Sequence, residues 1–398
     1  MAANRRLLST LLAVAAAALL PGPARAQQEI KVGGIFDLTG VTGDVGKIFA
    51  QGAQDAVASV NEKGGINGKK ISLIGVDYAY KIDQARAAYK RLVSDEKVVM
   101  IQGWGTGDTE ALKDFVSQDK IPYFSGSFAA PVSDPAKYPF NFFVAPTYSD
   151  QLRAWLEWVK KDWGTKPGKA KIAFMFGDNA YGRAPLAAGR AYAKDIGMEV
   201  VDEEVLPPNF QDATSQLLTM KQKGVDYAYI NVTTTGVRLV LGDAKKLGLS
   251  IKFGSNPYGF SELLVAVAGP LAEGVTGVMP DVPYGEPVPE MKNVEAVHQK
   301  FRPTEKGDTM YVRGYSYVLV WAEALRRADK AGQLNGPGIK AALETFKDFS
   351  TGGLTEPVTY TATDHRPTTT TAIYQVQSGK LVKIGQYTMP RKPEWLGL

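Results

Sequence analysis

Apolar and polar positions run along the chain in two alternating periods. Short apolar runs at 30–36, 71–77, 98–102 and 121–124 predict buried strands. Between them apolar residues recur at helical spacing. Residues 47–63 carry Ile48, Phe49, Ala53, Ala56, Val57 and Val60 on one face and stop at Gly64-Gly65. Residues 82–95 turn Ile82, Ala85, Tyr89, Leu92 and Val93 inward, and 109–118 make a third helix. Strand–helix alternation of this kind predicts a parallel sheet with right-handed crossovers. A second run of the same pattern follows Pro146, with helices at 151–163, 184–196 and 236–247 and strands at 171–176, 225–231 and 275–279. Two such halves predict two α/β lobes. A proline-rich loop at 282–289 leads to helices at 290–301 and 310–331, and short strands with threonine-rich turns fill 358–387.

The amino terminus follows a different pattern. Arg5 and Arg6 precede an uncharged apolar stretch at 7–20, and Ala24-Arg25-Ala26 is a small-residue cleavage motif. This order predicts a secretory signal peptide over 1–26, cleaved after Ala26; the apolar stretch is too short and wrongly flanked for a membrane anchor. The arginine pair leaves general secretion and twin-arginine export both open. Cleavage removes three arginines and no acid, so the formal charge falls from +5 to +2. That near-balance gives no basic patch for nucleic acid, and export removes ATP- and NAD-dependent chemistry. About 370 residues remain, room for two domains of ordinary size. The chain has no cysteine, which excludes disulfides, thiolate metal sites, cysteine nucleophiles and a lipid on an amino-terminal Cys.

Several segments resemble one family. Residues 61–71, Asn61-Glu62-Lys63-Gly64-Gly65-Ile66-Asn67-Gly68-Lys69-Lys70-Ile71, look like the turn after the first helix of type I solute-binding proteins of ABC importers, with the branched-chain amino acid group as nearest kin. Leu38-Thr39-Gly40 resembles that family's first strand-to-helix loop, and Asp178-Asn179-Ala180-Tyr181-Gly182-Arg183 the loop opening its second lobe. Phe210-Gln211-Asp212 with Val225-Asp226-Tyr227, and Ala272-Glu273-Gly274-Val275 with Met279-Pro280, fit its later units. The resemblance covers about 30–371. It implies two Rossmann-like lobes with parallel-rich sheets joined by a three-crossing hinge. The crossings would fall near 145–148, 279–284 and 355–359. The lobes would then be 28–145 with 284–356, and 146–283 with 357–398. Ligand would lie between them, held by hinge closure. The implied function is periplasmic capture of a small organic ligand and delivery to an inner-membrane permease, by a monomer without cofactor or metal.

Candidate binding residues sit in strand-end loops. Trp104, Gly105, Thr106 and Gly107 lie in a glycine-rich loop that follows a strand and opens a helix; glycines admit backbone N–H groups and a helix N-terminus favours an anion. The family holds its ligand's carboxylate there. The same loop also serves as a tight turn capped by Thr106 or Asp108. Ser125, Ser127 and Phe128 end the next strand, where relatives add hydroxyl and backbone contacts. In the second lobe, Tyr181 matches a tyrosine that lies against the ligand, and Thr233 stands where relatives place an aromatic residue. Amino-acid binders carry an acid after the following strand to neutralise the ligand's ammonium. Here Asn256 stands at or near that place, and no Asp or Glu occurs between Asp243 and Glu262. Val45 falls where some relatives have a tyrosine. The expected ligand is therefore a carboxylate without a charged amine. A branched-chain or other amino acid stays open, its ammonium compensated by Asp44, Asp77, Asp108 or Glu262.

Two other classes compete. An enzyme would need a catalytic constellation. The chain has two histidines, His298 and His365, outside the strand-end loops, and no G-x-S-x-G, H-E-x-x-H or P-loop. A sensor delivering ligand to a membrane receptor would share the binding chemistry and differ only in partner.

Overall fold

A computed structural model describes residues 29–398. The expected signal peptide lies outside them. The first half builds β1 (Glu29–Phe36), α1 (Gly43–Glu62), β2 (Lys70–Asp77), α2 (Ile82–Ser94), β3 (Met100–Gln102), α3 (Thr106–Asp119), β4 (Tyr123–Phe124) and β5 (Asn141–Phe142). The five strands form a parallel sheet in the order β2-β1-β3-β4-β5. The second half builds α4 (Tyr148–Trp163), β6 (Lys171–Gly177), α5 (Ala180–Arg183), α6 (Leu186–Asp195), β7 (Glu199–Leu206), α7 (Thr214–Lys223), β8 (Tyr227–Asn231), α8 (Thr234–Lys246), β9 (Lys252–Ser255), α9 (Glu262–Ala268) and β10 (Thr276–Met279). The chain then makes α10 (Met291–Phe301), α11 (Thr309–Lys330) and α12 (Gly336–Leu343) and ends in a hairpin, β11 (Thr370–Gln377) and β12 (Lys380–Thr388). The hairpin adds antiparallel to β10, giving a seven-stranded sheet β12-β11-β10-β9-β8-β6-β7. The protein is α/β, with two Rossmann-like lobes as expected.

In each sheet the strand order reverses once, between β1 and β3 in the first and between β6 and β8 in the second. Open α/β sheets bind ligands in the crevice at the carboxyl ends of strands beside such a reversal. α11 lies along α1 at backbone contact. A Cβ on Gly52 would stand 2.2 Å from the Tyr311 carbonyl oxygen, and one on Gly314 would stand 2.0 Å from that of Phe49. The chain segments that pass between the sheets touch each other: Asp281 and Thr355 form an isolated bridge, and Val282 N–H donates to Leu354 C=O at 3.0 Å. Residues just beyond still pack on the first sheet. His365 stacks on Phe142 at 4.2 Å, and the Tyr360 hydroxyl donates to Phe143 C=O at 2.8 Å.

Helix starts lie earlier than the apolar periodicity predicts. α1 begins at Gly43, α3 at Thr106 and α4 at Tyr148, because first turns take polar and small residues. Thr147 caps α4, its hydroxyl accepting from Asp150 N–H at 3.1 Å. β7 reads Glu-Val-Val-Asp-Glu-Glu-Val-Leu and shows no apolar run, since it is the edge of its sheet. α12 reads Gly-Pro-Gly at its start. Its proline stands in the first turn, where a missing N–H costs nothing, and Asn335 caps it by accepting from Gly338 N–H at 3.0 Å.

Candidate ligand site

The first lobe contributes the loops after β1 and β3. Asp37 follows β1, fully buried, and organises the first loop: its carboxylate accepts from Gly40 N–H at 2.6 Å and from Thr42 N–H and hydroxyl at 2.9 and 2.6 Å. The Thr42 oxygen in turn accepts from Trp104 Nε1 at 2.8 Å. The indole is thus fixed by a chain that runs back to a buried carboxylate. Gly105 caps α3, and the next residue, Thr106, presents its hydroxyl 2.8 Å from that of Ser127. Behind the cap, Asp108 accepts from the Tyr78 and Tyr123 hydroxyls at 2.6 and 3.2 Å and from Gly105 N–H at 3.2 Å. Burial pushes the Asp108 carboxyl up to about 7, with the Tyr78 hydrogen bond opposing it.

The second lobe faces this with Tyr181, Thr233 and Tyr258. Asn256 is fully buried behind them. Its Nδ2 donates to the Ile230 and Val232 carbonyls at 3.1 and 2.7 Å, and its Oδ1 accepts from Tyr258 N–H at 2.7 Å and from the Tyr181 hydroxyl. All four hydrogen-bonding positions of the amide are taken. Asn256 thereby holds the two tyrosines that form the wall. Tyr148, opening α4, completes the ring of aromatics, 5.5 Å from Tyr181. Burial pushes its hydroxyl up to about 12, against hydrogen bonding with Thr106.

Together Thr42, Tyr80, Trp104, Gly105, Thr106, Tyr148, Tyr181, Thr233 and Tyr258 enclose a cavity of about 20 Å³. Of the residues expected from sequence, Trp104, Gly105, Thr106, Tyr181 and Thr233 reach its wall. Gly107, Ser125, Ser127, Phe128 and Asn256 stand behind it. A Cβ on Gly107 would meet Ile82 at 3.1 Å. The Ser125 hydroxyl is engaged by that of Thr109 at 2.6 Å and by Ser127 N–H at 2.8 Å. Phe128 stacks on Tyr258 at 5.6 Å. Thr42, Tyr80, Tyr148 and Tyr258 were not expected. Tyr80 follows Ala79, and both have positive φ, 55° and 49°. Two left-handed residues swing the tyrosine over the start of α3, its ring 2.7 Å from where a Cβ on Gly105 would stand. The Tyr78-Ala79-Tyr80 triplet at a strand end was the signal available.

None of the four acids considered as ammonium partners lines the cavity. Asp77 accepts from Leu38 N–H at 3.0 Å and the Thr39 hydroxyl at 2.6 Å. Asp44 reaches the other lobe, accepting from Thr235 N–H and hydroxyl at 3.1 and 2.9 Å. Glu262 and Asp308 exchange caps between α9 and α11: Glu262 accepts from Thr309 N–H at 2.7 Å, and Asp308 from Leu263 N–H at 2.8 Å. More contacts join the lobes. The Tyr258 hydroxyl donates to the Gly126 carbonyl. Arg313, fully buried on α11, pairs with Asp281 at 2.6 Å and donates to Pro257 C=O at 3.2 Å. Both histidines pack away from the cavity, His298 against Tyr311 at 4.7 Å and His365 against Phe142.

Two facing lobes with a polar-rimmed aromatic cavity at their strand ends define a binding protein. The sequence profile of the periplasmic binding protein family matches residues 29–380, and the chain belongs to that family. A Leu/Ile/Val-binding protein homolog 7 of Brucella suis biovar 1 is 32% identical over 223 residues, 54% of this chain and 55% of that protein. The match thus spans about half the length of that relative. A branched-chain amino acid ABC transporter protein from Thermus thermophilus, solved with bound valine, superposes with a TM-score of 0.86 at 23% identity, covering 91% of this chain and 97% of that one. A solute-binding protein from R. palustris in complex with benzoate superposes with a TM-score of 0.79 at 18% identity over 93% and 99%. The family places the protein outside the cytoplasm and among solute-binding proteins.

Proposed function

We propose that this chain is the solute-binding component of an ABC importer and captures a small organic carboxylate without a charged amine. In this reading the signal peptide over 1–26 is removed in export, and the protein delivers its ligand to an inner-membrane permease as a monomer. The lobes divide at 145–146 and 283–284, and the third division falls after His365 rather than at the expected 356–357, since Tyr360 and His365 pack on the first sheet. The carboxylate lies at the start of α3, meeting the Thr106 hydroxyl and the N–H groups of the 105–107 turn. Rings of Trp104, Tyr148, Tyr181 and Tyr258 cover its apolar body.

One observation carries the choice of ligand. The residue at the ammonium-neutralising position, Asn256, has every hydrogen-bonding site filled from within its own lobe, and the cavity wall holds no Asp or Glu. An ammonium closed into such a site would lose its hydration without a counter-charge, at a cost of several kcal/mol. The names of the Brucella and Thermus relatives favour leucine, isoleucine or valine instead, and the R. palustris complex an aromatic acid. Isothermal titration with leucine, valine and a panel of benzoate-like acids decides. The expected result is binding of an acid and weak or no response to the amino acids. Tight leucine binding with no response to the acids would overturn the choice.

A further inference from the structure

Beside the aromatic cavity lies a second, larger chamber of about 150 Å³. It opens at the strand-order reversal of the second sheet, between the ends of β6 and β8, as the cavity lies at that of the first. The two spaces share Thr42, Tyr181 and Thr233 as walls. The chamber's further lining is mostly apolar, with Leu206, Pro207, Phe210, Val232 and Leu239 from the second lobe and Val41 from the first. Val41 is 54% exposed, an apolar residue left at the rim.

Asn231 also borders the chamber. It is 1% exposed, and its Nδ2 donates to the Tyr181 and Gly182 carbonyls at 3.0 Å each. Those two bonds fix which way the amide points. Its Oδ1 has no partner among the described residues. A buried acceptor without a donor is costly and calls for one.

From the shared walls, the apolar lining and this lone acceptor we infer that the chamber is a second subsite for the ligand of the cleft. It takes the distal part of an extended organic acid that passes Tyr181, and a hydroxyl or amide N–H on that part displaces the wall over Asn231 Oδ1 and donates to it. The inference rests on the carboxylate reading above. The inner cavity alone, at about 20 Å³, has the room of one or two water molecules. An acid of any length must therefore either displace the aromatic wall or run on into the chamber.

The test is calorimetry on the whole mature protein with benzoate, phenylacetate and phenylpropanoate, and with ring-hydroxylated phenylpropanoate. Affinity should rise with each methylene, by roughly fourfold where the group is fully buried. The ring hydroxyl should add a further gain. Leu239→Trp, which fills the chamber from α8, should remove the gain from length and cost benzoate, which reaches less far past Tyr181, much less than phenylpropanoate. Val41→Trp fills it from the opposite lobe and should do the same. Affinity independent of length, or both variants weakening benzoate and phenylpropanoate equally, would overturn the subsite while leaving the carboxylate reading intact. A ring hydroxyl without effect would overturn the role of Asn231. No response to any acid would overturn the carboxylate reading and the subsite with it.

Discussion

Thr106 does two things at once. Its position opens α3, and its hydroxyl meets that of Ser127. Replacing it by valine keeps the shape and removes the oxygen. Thr106→Val should weaken binding of the preferred acid by roughly 1–3 kcal/mol, read by calorimetry, if the hydroxyl meets a carboxylate. An unchanged affinity with an intact fold would leave Thr106 only its place in the helix start. Asp108, one layer deeper, makes a separate prediction. Its carboxyl is pushed up to about 7 from the usual 3.8 by burial. A carboxyl with a higher pKa folded than unfolded binds more protons when folded. Its stabilising contribution is complete below 3.8 and is lost as pH rises through 7. Urea unfolding should therefore show stability falling by about 1 kcal/mol or more from pH 6 to pH 8. Asp108→Asn should reduce that slope. Glu262, pushed up to about 7 by burial and by the charge of Asp308, keeps part of it. An identical slope in the variant would show that Asp108 does not titrate there.

Between elements, glycine decides how closely helices approach. Gly52 and Gly314 let α1 and α11 meet at their backbones, so a methyl group at either would have to push a carbonyl away. Gly314→Ala should cost about 1–3 kcal/mol, seen as a lower urea midpoint. Gly242, in α8, has open space where a Cβ would go. Gly242→Ala should instead stabilise by about 0.5–1 kcal/mol through the unfolded chain's lost freedom. Equal effects at the two sites would mean the α1–α11 approach is not tight. This contact was not visible in the chain. The apolar stripe of α1 was legible from Phe49, Ala53, Ala56 and Val57, but nothing local says which helix covers it. β7 and α12 escaped for a similar reason. An edge strand needs only one apolar face, and a Gly-Pro-Gly start resembles a loop until Asn335 is seen capping it.

At the scale of the whole molecule, the lobes hold each other through side chains outside the wall of the aromatic cavity. Asp44, in the first turn of α1, accepts from the N–H and hydroxyl of Thr235 at the start of α8. Asp44→Ala removes both bonds and leaves the cavity wall unchanged. The variant should bind its ligand roughly two- to tenfold more weakly, because closure loses part of its drive. Small-angle scattering should show a more extended free protein that still compacts on saturation. Unchanged affinity and scattering would assign the lobe contact elsewhere, with the buried Arg313–Asp281 pair and the exchange between Glu262 and Asp308 as the remaining clasps.

Order and spacing along the chain were enough to state the architecture and to identify half of the cavity wall. Strand and helix periods are local properties, and a glycine-rich turn before a helix keeps its meaning wherever the fold puts it. Trp104, Gly105 and Thr106 were legible for that reason, and Tyr181 and Thr233 through the resemblance of their loops to the family's. Tyr80, Tyr148 and Tyr258 were not, because the backbone geometry that aims them is not announced by their residue types. A pair of left-handed residues turns Tyr80, and Asn256 accepts the backbone N–H that sets Tyr258. Asn256 itself shows the limit most clearly. Its identity raised the question of the missing counter-charge, but only the tertiary structure shows its amide spent on four partners from its own lobe, since hydrogen-bond saturation is a property of surroundings and not of sequence.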